Sequence, residues 1–394
     1  MDPIAPTLHR QLKALLQTKP LFNEFVVKIA SRCNLNCDYC YEYNLGDESW
    51  RAASKFMSED VVKALAFRIS EHAKAHGLRE VFVNFHGGEP LLAGHKRIDL
   101  YASILRQAAQ DDYTIFFGMQ TNAVLIDENI CDVLAKHKIS VSVSLDGGQI
   151  ENDRHRVDHK GLSSFQATLR GMEVLKSLVP GQPSGLLAVI DSKNDPIAVF
   201  DFLSNLDITH IDFLLPYDNW DRPPPRNSKN NIEYGEWLYK IFDSWISGRH
   251  SKVDIRFFKN IILNFMGKNS NFEAMNLAPV QLVTVSTDGA IEAVDTLKST
   301  ASGVQNTGLN VVYNSFDEAL QERIIESRQS GVNQLCAICR DCKYMRECAG
   351  GYFPHRYSNE RQFDNPSVYC EDLFWLLDNI ERKLKEMQFI NQIN

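Results

Sequence analysis

The sequence predicts an α/β fold, a partial (β/α)6 TIM-like barrel followed by a cysteine-rich C-terminal domain. Three observations predict it. Six short apolar runs alternate with helical patterns through residue 216, a polar, proline-rich stretch breaks that rhythm at 217–235, and five of the nine cysteines crowd into 336–370. Strands alternating with helices imply a parallel sheet with right-handed crossovers. Six repeats fall short of the eight of a closed barrel, which leaves one side open. An open doubly wound sheet is the alternative.

The elements follow in order. Residues 1–23 form an N-terminal helix, with Leu8, Leu12, Leu15 and Leu16 at helical spacing. The barrel spans 24–216. Its strands are "FVVKIA" (25–30), "EVFVNFH" (80–86), "YTIFFGMQ" (113–120), "ISVSVSL" (139–145), "SGLLAVI" (184–190) and "THIDFLL" (209–215). Ser58 caps the first long helix, whose apolar face is Val62, Leu65, Ala66, Ile69 and Ala73, and Gly77 ends it. A linker and bridging helices fill 217–279, with helices at 233–247 and about 255–267. The C-terminal domain covers 280–394 and closes with a helix marked by Leu373, Leu376, Leu377, Ile380, Leu384 and Met387.

Composition narrows the function. A formal charge of -8 over 394 residues opposes a general nucleic-acid surface. The sequence has neither a signal peptide nor a stretch of membrane-spanning length, so a cytoplasmic protein is expected. There, clustered cysteines bind metal or do chemistry more often than they pair. Cys131 stands apart among apolar neighbours and reads as inert.

Cys33, Cys37 and Cys40 are spaced C-x3-C-x2-C directly after the first strand, where α/β barrels build their sites. Three thiolates on a [4Fe–4S] cluster leave one iron free to chelate a small molecule. After the second strand comes Gly87-Gly88-Glu89-Pro90, after the third Gln120-Thr121-Asn122, and after the fourth Ser144-Leu145-Asp146. Small polar groups at successive strand ends suit a ribose.

Together these motifs resemble the radical S-adenosylmethionine (SAM) superfamily. The resemblance implies that Cys33, Cys37 and Cys40 hold the SAM-binding [4Fe–4S] cluster. It places Gly87, Gly88 and Glu89 near the SAM amine, Ser144 and Arg170 at ribose and carboxylate, and Tyr39 by the adenine. Gln120 and Asn122 complete the cofactor set. In the C-terminal stretch, Cys339, Cys342, Cys348 and Cys370 resemble the second auxiliary [4Fe–4S] site of SPASM domains, leaving Cys336 spare; a zinc ribbon is the structural alternative. Val294 and Tyr352 stand where ligands of a first auxiliary cluster are usual, so one auxiliary cluster is expected.

"DGAIEAVDTLK", "ECAGGYFPHRYS", "FDNPSVYCEDL", "NDRHRV" and "DFLLPYDNWDRPPPR" resemble radical SAM/SPASM maturases that form three-residue cyclophanes in ribosomally made peptides. That resemblance covers about 25–380. It implies hydrogen abstraction from a β-carbon, then a C–C bond to the aromatic ring of a residue two positions earlier. Asp295 falls where sulfatase-maturing relatives place an acid/base, and Glu292 is its neighbour in the same expected strand. A ring proton must leave, so a carboxylate suits the site. The departing electron is expected to reach the auxiliary cluster, and His355 and Arg356 to tune it, bind substrate or pair structurally. Expected partners are a precursor peptide and a reductant such as flavodoxin or ferredoxin. The leader is expected at an exposed strand edge, a groove near 217–235 or a separate leader-binding protein. The rival outcomes are thioether formation, epimerisation and formylglycine-type oxidation; from other classes come an iron–sulfur electron carrier and a zinc-stabilised binding protein.

Overall fold

A computed structural model describes residues 20–226, 231–268 and 272–388. The expected helix within 1–23 lies almost wholly outside the described residues. Six parallel strands appear where the apolar runs place them: β1 (Glu24–Ala30), β2 (Glu80–Gly87), β3 (Thr114–Thr121), β4 (Ser140–Ser144), β5 (Gly185–Val189) and β6 (His210–Leu214). Strand alternation sorts their side chains. Phe25, Val27, Ile29, Val81, Val83 and Phe85 are buried in the core shared with the outer helices. The alternate set, including Glu24, Asn84, His86, Gln120 and Ser144, lines cavities inside the barrel.

The helix Glu59–His76 shows how local sequence fixes these elements. Ser58 Oγ accepts from Val61 N, Gly77 ends the helix at φ +62°, and Val62, Leu65, Ala66, Ile69 and Ala73 are all buried.

The sheet extends beyond the expected six strands. Its order is β10-β9-β8-β1-β2-β3-β4-β5-β6-β7. The two-residue β7 (Asp254–Ile255) adds to β6, and β8 (Leu282–Val285) pairs in parallel with β1. From there β9 (Ala290–Glu292) and β10 (Asn306–Asn310) return antiparallel. Three strands from the segment assigned to the C-terminal domain thus continue the barrel sheet. β9 ends at Glu292, and Asp295 opens the 3-10 turn Asp295–Ser299, so the two do not share a strand as expected.

The expected linker is a strap. Asn219 Nδ2 and Arg222 Nη2 both donate to Ser299 O at 3.1 Å. Trp220 Nε1 donates to Pro366 O at 2.8 Å, and Arg226 pairs with Asp372 at 2.6 Å. Asp372 lies in the closing helix Cys370–Glu386, which packs on the helix Glu233–Ile246. Among the described residues, no helix is long and apolar enough to cross a membrane.

Candidate active site at the barrel mouth

Cys33, Cys37 and Cys40 line one cavity of about 160 Å3 at the C-terminal ends of the strands. Tyr39, Gly87, Gly88, Glu89, Gln120, Asn122 and Ser144 line it too. The structure therefore brings together ten of the eleven residues named for this site, Cys37 being the most buried of its three thiols. No fourth cysteine lines this cavity. Burial pushes the Cys37 thiol above its ordinary range and Cys40 up to about 12, so a cation is needed to hold them as thiolates. Three thiols facing one cavity that polar side chains also enter fit a cluster with an open iron.

The glycines act through backbone approach. A Cβ on Gly87 would strike the Ala30 carbonyl, and one on Gly88 the Arg32 carbonyl and the Tyr43 hydroxyl. Gly88 N donates to Ala30 O and Glu89 N to Arg32 O, both at 2.9 Å, so this turn cradles the cysteine loop. The Glu89 carboxylate is buried and takes three donors from the protein: Thr121 Oγ1 at 2.6 Å, Leu91 N at 3.0 Å and Asn122 N at 2.8 Å. It clasps the ends of β2 and β3 while lining the cavity. Gln120 Nε2 donates to Ser144 Oγ at 2.7 Å, and Asn122 Nδ2 to Asn34 Oδ1 at 2.8 Å.

Arg170 is the correction. It lies on the exposed face of the helix Phe165–Leu178 and does not line the cavity. The guanidinium in the cavity belongs to Arg156, whose Nη1 donates to Tyr39 Oη at 2.9 Å; that hydroxyl donates to Asp146 Oδ2 at 2.5 Å. Arg156 arrives by a long-range contact, since Asn36 N donates to Val157 O at 2.8 Å and Leu35 bridges Asp158.

Asp295 does not line the cavity; it stands one bond behind it. Tyr41 Oη donates to Asp295 Oδ2 at 2.8 Å, Lys28 Nζ lies 3.3 Å from the same oxygen, and His86 Nδ1 lies 3.9 Å away. Tyr41 and His86 do line the cavity. Burial alone would raise the Asp295 pKa; Lys28, His86 and the Tyr41 bond outweigh it and hold it at about 2. Glu292 faces away. It pairs with Lys298 at 3.3 Å and lines a separate cavity with Lys28, Glu42 and Lys298. Lys298 also reaches Glu42 at 3.2 Å, and Glu42 contacts Lys28. The sequence reading missed Lys28, Tyr41, His86, Arg156 and Lys298. Lys28 gave a signal, a lone charge inside an apolar strand that must find a partner when buried.

Cys339, Cys342, Cys348 and Cys370 line a second, small cavity with Ile338, Met345, Phe374 and Leu377. Four thiols with apolar walls fit a fully ligated cluster. Cys336 is buried beside Cys339. At the expected first auxiliary position, Val294 is buried in the core and Tyr352 Oη shares a hydrogen bond with Thr296 Oγ1 at 2.6 Å. No cysteine stands there, and a cluster does not fit. His355 and Arg356 are both buried; Arg356 donates to the carbonyls of Ala349, Gly350 and Gly351, holding the loop after Cys348.

A barrel with a three-thiolate mouth defines a class, and sequence comparison gives the same one. Residues 27–202 match the model of the Radical SAM superfamily, so this segment, which holds most of the barrel, is a radical SAM domain. The three thiols of the barrel fit the SAM-binding [4Fe–4S] cluster of such a domain, and the four C-terminal thiols fit a second cluster. The chain is 24% identical over 359 residues to the cysteine-type anaerobic sulfatase-maturating enzyme of Clostridium perfringens (strain 13 / Type A), covering 89% of this chain and 94% of that one. The structure of native anSMEcpe with bound AdoMet and Cp18Cys peptide superposes with a TM-score of 0.80 at 24% identity, covering 94% of this chain and 99% of that one. Streptococcus suis SuiB bound to precursor peptide SuiA gives 0.58 at 16% identity, covering 90% and 78%. At these identities the structures speak for the fold.

Proposed function

We propose that the protein is a maturase that modifies a ribosomally made precursor peptide by forming a C–C crosslink between an aromatic ring and the Cβ of a residue two positions on. The observation that carries the radical SAM part of this reading is the gathering of Cys33, Cys37 and Cys40 on a cavity shared with Gly87, Gly88, Gln120 and Ser144, with no fourth cysteine among the described residues that line it; the crosslink rests on the sequence resemblance. In this reading those three thiols hold the SAM-binding cluster, and Cys339, Cys342, Cys348 and Cys370 the auxiliary one. When bound, cluster and SAM would supply the radical chemistry that removes the β-hydrogen. Tyr39, Asn122 and Arg156, with Ser144 and Gln120, orient the nucleotide from the cavity walls. Rearomatisation releases one proton and one electron, and the electron would leave by way of the auxiliary cluster that Cys339, Cys342, Cys348 and Cys370 would hold. Asp295 Oδ2 receives the proton by way of the Tyr41 hydroxyl, and Lys28 keeps that carboxylate ionised. Glu292 holds Lys298 in place and stays outside the chemistry.

The sulfatase-maturating relatives support a second reading, oxidation of a peptide cysteine or serine to formylglycine. Both readings share the β-hydrogen step. Coexpression with candidate precursor peptides under anaerobic conditions separates them. The crosslink removes two hydrogens and silences backbone fragments between the joined residues. An aldehyde that reacts with a hydrazide establishes the second reading, and an unchanged mass with an inverted stereocentre excludes both.

A further inference from the structure

Below the cofactor cavity the barrel holds another of about 250 Å3, sharing with it Leu187, Leu214 and Tyr217. At its far end it shares Glu24, Glu273 and Leu282 with a cavity of about 260 Å3 at the start of β1 and β8. The three cavities therefore lie end to end down the barrel from the SAM site, with these shared residues between them. The middle one is walled by Phe213, Phe257 and Met275, and its floor carries charge.

The floor charges do not cancel. Arg256 Nε and Nη2 both donate to Asp212 Oδ2, at 2.8 and 2.5 Å, and Arg328 pairs with Glu273. Glu24 has only the neutral Asn84 amide, 2.8 Å from Oε1, and forms no ion pair among the described residues. Burial raises its pKa and the nearby Glu273 adds to that rise, more than the charge of Arg256, which is engaged with Asp212, and the Asn84 bond take back. One carboxylate is left over. His355, 2% exposed, lines the same cavity; one ring nitrogen faces the Pro216 carbonyl just outside good hydrogen-bond geometry, and the other has no partner among the described residues. Burial pushes its pKa down to about 3, so the ring is neutral and offers an acceptor.

We propose that this cavity is a specificity subsite for a basic side chain of the substrate peptide, arginine or lysine, with its methylenes against Phe213, Leu214 and Met275, its cation on Glu24 and Glu273, and His355 as a further acceptor. The proposal rests on the peptide-maturase reading. Long basic side chains bury an apolar stem and present a charged head, which is the order of surfaces down this cavity. An aromatic side chain fits by volume, since a dry apolar cavity of about 150 Å3 takes benzene. It leaves the half-buried Glu24 carboxylate with no ion-pair partner and only the shared charge of Arg256 near it, and that cost decides against it.

The test is binding of fragments to the anaerobically reconstituted holoenzyme with SAM at low salt, followed by ligand-observed NMR. The probes are n-butylguanidinium, n-butylammonium, the neutral near-isostere n-butylurea, and p-cresol. Butylguanidinium is expected to bind about tenfold more tightly than butylurea, the scale of one charge-assisted hydrogen bond. Glu24→Gln should erase that preference, and His355→Gln should weaken the cation about threefold on the same scale. If Glu24→Gln does not accumulate folded, Glu24→Asp, which retracts the charge, should narrow the preference instead. Equal binding of the urea, tighter binding of p-cresol, or a preference that survives at Glu24 overturns the proposal. Release of 5′-deoxyadenosine in the same samples tests the maturase reading separately. Cation preference without SAM cleavage sinks that reading and keeps the subsite; cleavage without preference does the reverse.

Discussion

The two cysteine fields differ in what surrounds them. Cys33, Cys37 and Cys40 face a cavity of about 160 Å3 that also receives Gln120, Asn122, Ser144 and Arg156. Cys339, Cys342, Cys348 and Cys370 face about 40 Å3 walled chiefly by Ile338, Met345, Phe374 and Leu377. The first is shaped for a cluster and a polar companion, the second for a cluster alone. A ligand set one thiol short goes with hydrogen-bonding walls; a complete set goes with apolar ones. The difference in walls carries the division of labour as much as the difference in cysteine count.

Removing one thiol from each field gives the sharpest break. Cys37→Ala should reduce 5′-deoxyadenosine release and product to background. Cys348→Ala should keep that release while losing product, with iron falling from about eight to about four per chain. Loss of SAM cleavage in Cys348→Ala would merge the two fields into one functional unit and undo the contrast.

Asp295→Asn is next. It should lower product about 10²–10⁴-fold while SAM cleavage changes little, as expected when a proton acceptor is lost. Product formation unchanged within twofold rules out a proton role for this carboxylate. The same group sets an acid limit. Its folded pKa, about 2, lies below the unfolded value of about 3.9. The stability it contributes is therefore present above about pH 4 and is lost as pH falls from there toward 2. Acid titration of wild type against Asp295→Asn, followed by circular dichroism, should show the two curves converging through that window.

The smallest effect separates two arginines. Arg156→Ala should weaken SAM binding about tenfold or more, because a buried charge-assisted contact goes with it. Arg170→Ala should leave it within about twofold, since substitutions at exposed positions seldom matter. Equilibrium dialysis with labelled SAM measures both, and the opposite order would return Arg170 to the site.

Much of this arrangement was legible before any coordinates. The Ser58 cap, the face from Val62 to Ala73 and the Gly77 stop defined a helix by local rules. Each motif after a strand end was carried to the cavity by the barrel itself. Arg156 was not legible in this way. It sits in a short irregular segment, and a backbone pairing with residues 35 and 36 brings it to the site. Arg170 was chosen from resemblance, and the helical period then turned it to solvent. The buried charges Lys28, Glu42, Asp295 and Lys298 come from three separate chain segments, so sequence spacing could not show that they meet. The strand expected at Glu292 is β9, but a three-residue piece says nothing about which sheet it joins.

That last pairing bears on how far the protein can be taken apart. β8 covers one side of β1, the strand that launches the cysteine loop. A chain cut before residue 280 would bare a row of backbone donors and acceptors along β1, the kind of edge that recruits other molecules and aggregates. The tail is thus no detachable accessory: the barrel needs it as a lateral seal, and swapping tails between relatives would have to preserve that seam before any cluster could be assembled.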